Sequence, residues 1–400
     1  MLPGMSETQR ESPGERIDEP PGGAGRAGHS LIHVPETVGS RTRHYLPTLD
    51  AWRAVAALLV VFCHTFGNLP LWQIPGTSLH LESPKWQARL MGVFNGSLGV
   101  DLFFALSGFL ITYLSVLEAQ SPGGFRLGAF WVRRVFRIVP LAWTCVALYL
   151  LASALGWRNA PWPQPGVIAA GFLFYVNYLL AAGHVPGLLG HLWTLGIEMQ
   201  FYFFWAVVLK ITKPRRLPAV ALAGIALVIL CRSTSTWTGF AWDGLRLESR
   251  GDSLFWGAFF GALLAQHSGA LILEKWLRPW LFIPLALLLA YVADQHPFGY
   301  LTWQPILCAL VITVTTVHAT RIEIKWMEND LLRFLGRISF SIYIWQQVLT
   351  GAASTDPGKA WNALLVPPIS LLWIIPAAWL SYRLIELPGM RLGVSITRRV

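Results

Sequence analysis

Arginine and histidine share one apolar run, AWRAVAALLVVFCHTFG (residues 51–67), with Arg53 near one end and His64 near the other. A charged group at a bilayer centre costs at least about 2.5–3.5 kcal/mol, so such residues face a bundle interior or a watery cavity. Eleven residues at 100° each overshoot three full turns by only about 20°, which puts Arg53, Ala57, Val60 and His64 on one stripe. The two polar groups are then roughly 16 Å apart along the axis. An imidazole, with an ordinary pKa near 6.5, suits general-base work. Two carboxylates could support it. HLWTLGIEMQFYFFW (191–205) buries Glu198 seven residues after His191, nearly eclipsed, and SLGVDLFFALSGFLIT (97–112) holds Asp101 beside Ser107 and Gly108, small residues that allow close helix approach. Either acid could orient His64 and stabilise its cation, as a triad acid does, and spacing leaves the choice open. In GAFWVRRVFRIVPLAW (128–143), Arg133, Arg134 and Arg137 lie three and four apart, one cluster on a helix, with Pro140 opening the next span. Guanidinium forks bind phosphate bidentately, so the cluster reads as a polyanion site, or more plainly as charges that stop a span.

The elements that must hold these groups follow from composition. With 54% hydrophobic and 13% charged residues, the chain is an all-α integral membrane protein. No alternating pattern of an outer-membrane barrel is present. Residues 1–46 hold few large apolar side chains and read as a disordered cytoplasmic tail without a cleavable signal. Residues 47–390 form the transmembrane domain and 391–400 a cytoplasmic C-terminal tail, with no soluble outer domain. Cys63, Cys145, Cys231 and Cys308 stand singly and read as small core residues rather than metal ligands, and no metal is expected. Trp72, Trp86, Trp157, Trp162, Trp237 and Trp361 fall near span ends, where an interfacial belt forms. The net charge of +10 reports topology in such a chain and not nucleic-acid binding.

Eleven apolar segments stand out: 51–67, 97–117, 138–156, 166–182, 191–211, 217–231, 253–267, 280–293, 301–319, 334–350 and 367–385. If 166–182 does not cross and the N-terminus is cytoplasmic, 22 Lys and Arg lie inside and 7 outside; if all eleven cross, 13 lie inside and 16 outside. The positive-inside rule favours about ten crossings, both termini cytoplasmic, and a re-entrant or interfacial helix at 166–182. Arg53 then sits at the inner mouth and His64 toward the outside.

Taken in order, the first helix with Arg53 and His64, GVDLFFALSGFLIT, FWVRRVFRIVP, HLWTLGIEMQFY and GRISFSIYIWQQ resemble the acyltransferase 3 family of bacterial membrane proteins, across residues 45–385. The resemblance implies a multi-pass enzyme of the bacterial cytoplasmic membrane that moves an acyl group, acetyl first, from cytoplasmic acyl-CoA to a hydroxyl of a sugar or other acceptor. It implies that Arg53 and His64 are the essential first-helix pair, Arg133, Arg134 and Arg137 the basic loop, and Glu198 the buried acid. Many members carry a histidine after the IYIW-like segment; this chain has Gln346 there.

These readings combine into an expected mechanism. The phosphates of CoA dock on the inner arginines, the pantetheine arm threads past Arg53, and His64 takes the proton of an acceptor hydroxyl as it attacks the thioester. Direct attack ranks ahead of an acyl-enzyme on His64, Ser107 or Cys63, because no nucleophile turn such as GxSxG is present. The expected acceptor is a cell-surface or lipid-linked carbohydrate reached within the membrane, with a small glycosylated metabolite as the alternative. The rival from another class is a proton-coupled transporter, which would show inverted repeats that are not visible here.

Overall fold

The computed structural model describes residues 46–66, 95–156, 162–184, 187–238, 244–294, 300–318, 326–350 and 369–399. The expected N-terminal tail, apart from Leu46, and Trp72, Trp86, Trp157 and Trp361 lie outside these residues. Among the described residues every regular element is helical. In chain order these are α1 (Pro47–Phe66), α2 (Gly96–Gln120), α3 (Leu127–Ala154), α4 (Pro165–Leu173), α5 (Val176–Ala181), α6 (Trp193–Ile211), α7 (Leu217–Thr238) and the single turn α8 (Leu247–Arg250). There follow α9 (Asp252–Leu264), α10 (His267–Trp276), α11 (Phe282–Asp294), α12 (Tyr300–His318), α13 (Asp330–Arg337), α14 (Ser339–Thr350), α15 (Leu371–Ser381) and α16 (Leu387–Arg399).

Four helical stretches are long and apolar enough to cross a membrane: Gly96–Gln120, Leu127–Ala154, Gly187–Ile211 and Pro214–Thr234. The pair α9 and α10 makes a fifth if its 108° bend is one broken span. Several apolar segments are therefore not the straight helices that hydropathy suggests. The 166–182 segment is two helices of 9 and 6 residues, α4 and α5, separated where Phe174 adopts φ 59°. That left-handed residue donates its N–H to the Ala170 carbonyl and ends α4. The 253–267 segment yields only the 13 residues of α9, about 20 Å at 1.5 Å per residue, before the bend. The 334–350 segment divides at Ile338 into α13 and α14. Hydropathy measures transfer into lipid and is blind to such breaks, which depend on what the neighbouring helices satisfy.

Pro140 also departs from expectation. It lies inside α3 rather than at its start, so the basic cluster and the span are one continuous 28-residue helix. Proline leaves the Phe136 carbonyl without its N–H partner. Gly389 of α16 packs against that oxygen, so closely that a Cβ there would stand 2.5 Å from it. Residues 391–399 continue α16 along α3, where Arg126 donates to the Thr397 carbonyl at 2.9 Å.

The tightest helix contact joins α2 and α9. A Cβ on Gly108 would lie 1.9 Å from the Leu254 carbonyl oxygen, and one on Gly257 would lie 2.0 Å from that of Ala105. Small residues let the two backbones touch, as packing in lipid requires where water supplies no drive between helices. Gly257→Val must part the helices, and we expect it to cost at least about 1–3 kcal/mol, seen as a lower unfolding midpoint in detergent.

Candidate active site

Five helices converge on a cavity of about 90 Å³. From α2 comes the face of Val100, Phe104, Ser107 and Ile111, spaced four, three and four apart as one helix side must be. Arg53 enters from α1, Arg134 and Arg137 from α3, Thr194, Glu198 and Tyr202 from α6, and Ser339 and Tyr343 from α14. The wall thus carries three guanidinium groups and one carboxylate. In a lining that is otherwise largely apolar, this excess of positive charge draws an anion.

Each charge has a distinct setting. Glu198 accepts a hydrogen bond from Ser107 Oγ at 2.6 Å, so Ser107 serves the acid rather than the α2–α9 contact. Arg134 lies over the rings of Phe130 and Tyr202, at 5.5 and 5.7 Å to the centroids, which packs its cation between apolar faces. Arg53 faces Asp50 at 3.8 Å, one turn earlier on α1. Tyr343 donates from its hydroxyl to the His191 carbonyl at 2.5 Å and shares a bond of the same length with Thr194 Oγ1, which locks α14 to α6 beside the cavity.

The predicted site residues do not all meet. Arg53, Arg134, Arg137 and Glu198 share the cavity. Arg133 does not: it points to Glu118, 2.9 Å away, with a third of its side chain exposed. Successive helix residues diverge by 100°, so a cluster that is compact in sequence divides between two faces. Asp101 is also elsewhere. Its two oxygens accept from Arg250 Nε at 3.0 Å, Ser253 Oγ at 2.9 Å and Gln304 Nε2 at 2.7 Å, and the side chain is fully buried. That carboxylate holds α2 to α9 and α12. His191 lies in a 3₁₀ turn, Gly187–Leu192, ahead of α6, so it is not eclipsed with Glu198; its Nδ1 donates to the Leu188 carbonyl at 3.0 Å.

His64 is three turns beyond Arg53 on α1, with Ala57 and Val60 between them fully or nearly fully buried. Its Nδ1 lies 3.0 Å from Gln346 Oε1 on α14. An amide oxygen only accepts, so the bond puts the proton on Nδ1 and the lone pair on Nε2. Gln346 is a residue that sequence spacing could not pair with His64, since 282 positions separate them. Tyr202 was not singled out in the sequence, although its place one turn after Glu198 on the same face was a signal that could have found it.

A family model described as an acyltransferase domain matches residues 46–383, and so covers every helix that lines this cavity. The chain belongs to that acyltransferase family. The peptidoglycan O-acetyltransferase OatA of Listeria monocytogenes is 26% identical over 385 residues, a match covering 88% of this chain and 57% of that protein. The O-acetyltransferase OatA of Staphylococcus aureus is 26% identical over 378 residues, covering 87% of this chain and 58% of that protein. The acyltransferase chain described here therefore spans less than two thirds of the length of the curated relatives it matches. No solved structure matches it.

Proposed function

We propose that this acyltransferase is a multi-pass membrane O-acyltransferase that moves an acyl group, acetyl first, from acyl-CoA to a hydroxyl of a cell-surface or lipid-linked carbohydrate. The observation that carries the reading is the cavity itself, where Arg53, Arg134 and Arg137 stand around Glu198. The relatives' names, a peptidoglycan O-acetyltransferase among them, favour acetyl and a cell-envelope glycan. The topology that suits it is ten crossings of the bacterial cytoplasmic membrane with both termini inside, the arginines at the inner mouth and His64 toward the outside.

In this reading the phosphates of the donor engage Arg134 and Arg137 by charge-assisted hydrogen bonds. The pantetheine arm extends past Arg53 along the α1 stripe and brings the thioester toward His64, roughly 16 Å further on. His64 Nε2 takes the acceptor's hydroxyl proton as its oxygen attacks the thioester carbonyl; the C–S bond breaks, and the imidazolium returns the proton to the departing thiolate. Gln346 holds the imidazole in the required tautomer. Glu198, hydrogen-bonded to Ser107, balances the arginines around the donor, and Asp101 is left to its ion pair with Arg250 of α8 and its hydrogen bonds to α9 and α12.

The test is release of free CoA from acetyl-CoA by the purified protein in lipid, with and without an envelope-glycan acceptor. Acceptor-stimulated release supports the reading; none with acetyl-CoA, longer acyl-CoAs or any glycan overturns it. A second prediction separates the arginines. Arg137→Ala should raise the donor KM at least about tenfold, since hydrogen bonds to charged groups are worth about 1.5–3 kcal/mol. Arg133→Ala should change it little, because a part-exposed ion pair with Glu118 contributes only about 0–1 kcal/mol.

A further inference from the structure

A second cavity, of about 250 Å³, opens at the C-terminal ends of α2 and α6. On α2 the active-site cavity is lined as far as Ile111, and the second begins at Ser115, one turn later. Its other walls are Phe125, the last turn of α6 with Lys210, the link through Thr212 and Pro214, and Leu217 at the start of α7. Three stretches long and apolar enough to cross a membrane meet here by their ends: Gly96–Gln120, Gly187–Ile211 and Pro214–Thr234. The ends of spanning helices lie at the level of the lipid headgroups.

Positive charge and apolar surface adjoin at this hollow. Lys210, Lys213, Arg215 and Arg216 put four exposed cations within seven residues, and both lysines line the cavity. Lys210 donates to the Phe125 carbonyl at 3.1 Å, which holds its ammonium toward the loop after α2 and leaves two further N–H donors. Glu118, next to the lining residue Ala119, is engaged by Arg133 at 2.9 Å. Along α6, Phe203, Phe204, Val207 and Ile211 occupy about 100° of the helix circumference and are 56%, 54%, 40% and 76% exposed. Ile211 joins the two surfaces, since it ends the apolar face and lines the cavity. The cations call for a phosphate and the face beside them calls for hydrocarbon, and an anionic phospholipid carries both.

We propose that this hollow seats one anionic phospholipid, with its phosphate at Lys210 and Lys213 and an acyl chain along the Phe203–Ile211 face of α6. The start of α7 adds the partial positive charge of a helix N-terminus. In the topology proposed above this end is cytoplasmic, the side on which basic pockets between helices hold anionic headgroups. The inference needs the chain to lie in a membrane and does not depend on acyl transfer.

The experiment uses the full chain, delipidated in neutral detergent, with phosphatidylglycerol and phosphatidylcholine of identical acyl chains as probes and native mass spectrometry as the readout. We expect one phosphatidylglycerol to bind at least about tenfold more tightly than phosphatidylcholine. Lys210→Gln with Lys213→Gln should weaken that binding at least about tenfold, because each cation near a headgroup contributes to it. Ala119→Phe, which fills the hollow and leaves every charge in place, should weaken it as well. Lys275→Gln, at an exposed lysine on α10, should not. Equal binding of the two lipids by the wild type, or an equal loss in Lys275→Gln, would overturn the proposal. So would displacement of phosphatidylglycerol by equimolar inorganic phosphate or CoA, which would make the hollow a site for a free anion. If the double variant does not fold, Lys213→Gln alone replaces it: weaker phosphatidylglycerol binding supports the site, and unaltered binding refutes it.

Discussion

His64→Ala is expected to reduce acceptor-stimulated CoA release by about 10²–10⁴-fold, the usual contribution of a positioned general base. Donor binding should be unchanged. The arginines that would hold the donor lie around the cavity, whereas His64 stands three turns away against Gln346. The variant should also insert and extract normally, because shortening a half-buried ring leaves the buried stripe of Ala57 and Val60 intact. Kinetics with a saturating donor, together with CoA calorimetry, read the two halves separately. Unimpaired turnover would remove His64 from the mechanism, and lost donor binding would mean that the imidazole belongs to the donor site. Gln346→Ala should lower turnover in the same direction and by less, since it releases the tautomer without removing the base.

Asp101→Ala is the second large effect, and it is of another kind. The side chains that Asp101 satisfies are themselves enclosed: Arg250 is 6% exposed at its side chain, and Ser253 and Gln304 are fully buried. Removing the carboxylate breaks a buried ion pair by taking away one partner, at a cost of about 3–5 kcal/mol. Arg250 keeps Ser97 Oγ at 2.6 Å, which is too weak a partner to replace a carboxylate. The expected result is a markedly lower unfolding midpoint and less folded protein, with a normal kcat in the fraction that folds. A folded, stable Asp101→Ala protein with depressed kcat would return Asp101 to the chemistry. Replacing the pair together, Asp101→Leu with Arg250→Met, should recover much of the loss, because an apolar pair has no charge to desolvate.

Legibility divided along a physical line. The α1 stripe was readable because helix periodicity is local arithmetic, and Ala57 and Val60 are buried as that arithmetic requires. Gly108 was readable as a close-approach residue for a similar reason, since the need for a small side chain shows in the residue itself. Glu198 stood out because an isolated carboxylate in an aromatic helix has to be satisfied by something. Asp101 carried the same signal and lies outside the cavity, against different partners. Its partner Arg250 is 149 positions away, and nothing within SLGVDLFFALSGFLIT announces it. The division of Arg133 from Arg134 and Arg137 was likewise hidden, for which face of α3 meets α6 is a property of the assembled bundle.

The sequence alone was enough for the helical class, the apolar character of the segments, the polar stripe of the first helix and the family, because each rests on composition, on periods of a few residues or on motifs in order. The tertiary structure decided where the apolar runs break, at Phe174, after α9 and at Ile338. It also decided which acid joins the arginines, and it brought Gln346 to His64. Those outcomes depend on which groups from distant segments meet in one low-dielectric space. There a hydrogen bond or a counter-charge outweighs the preference of any single helix.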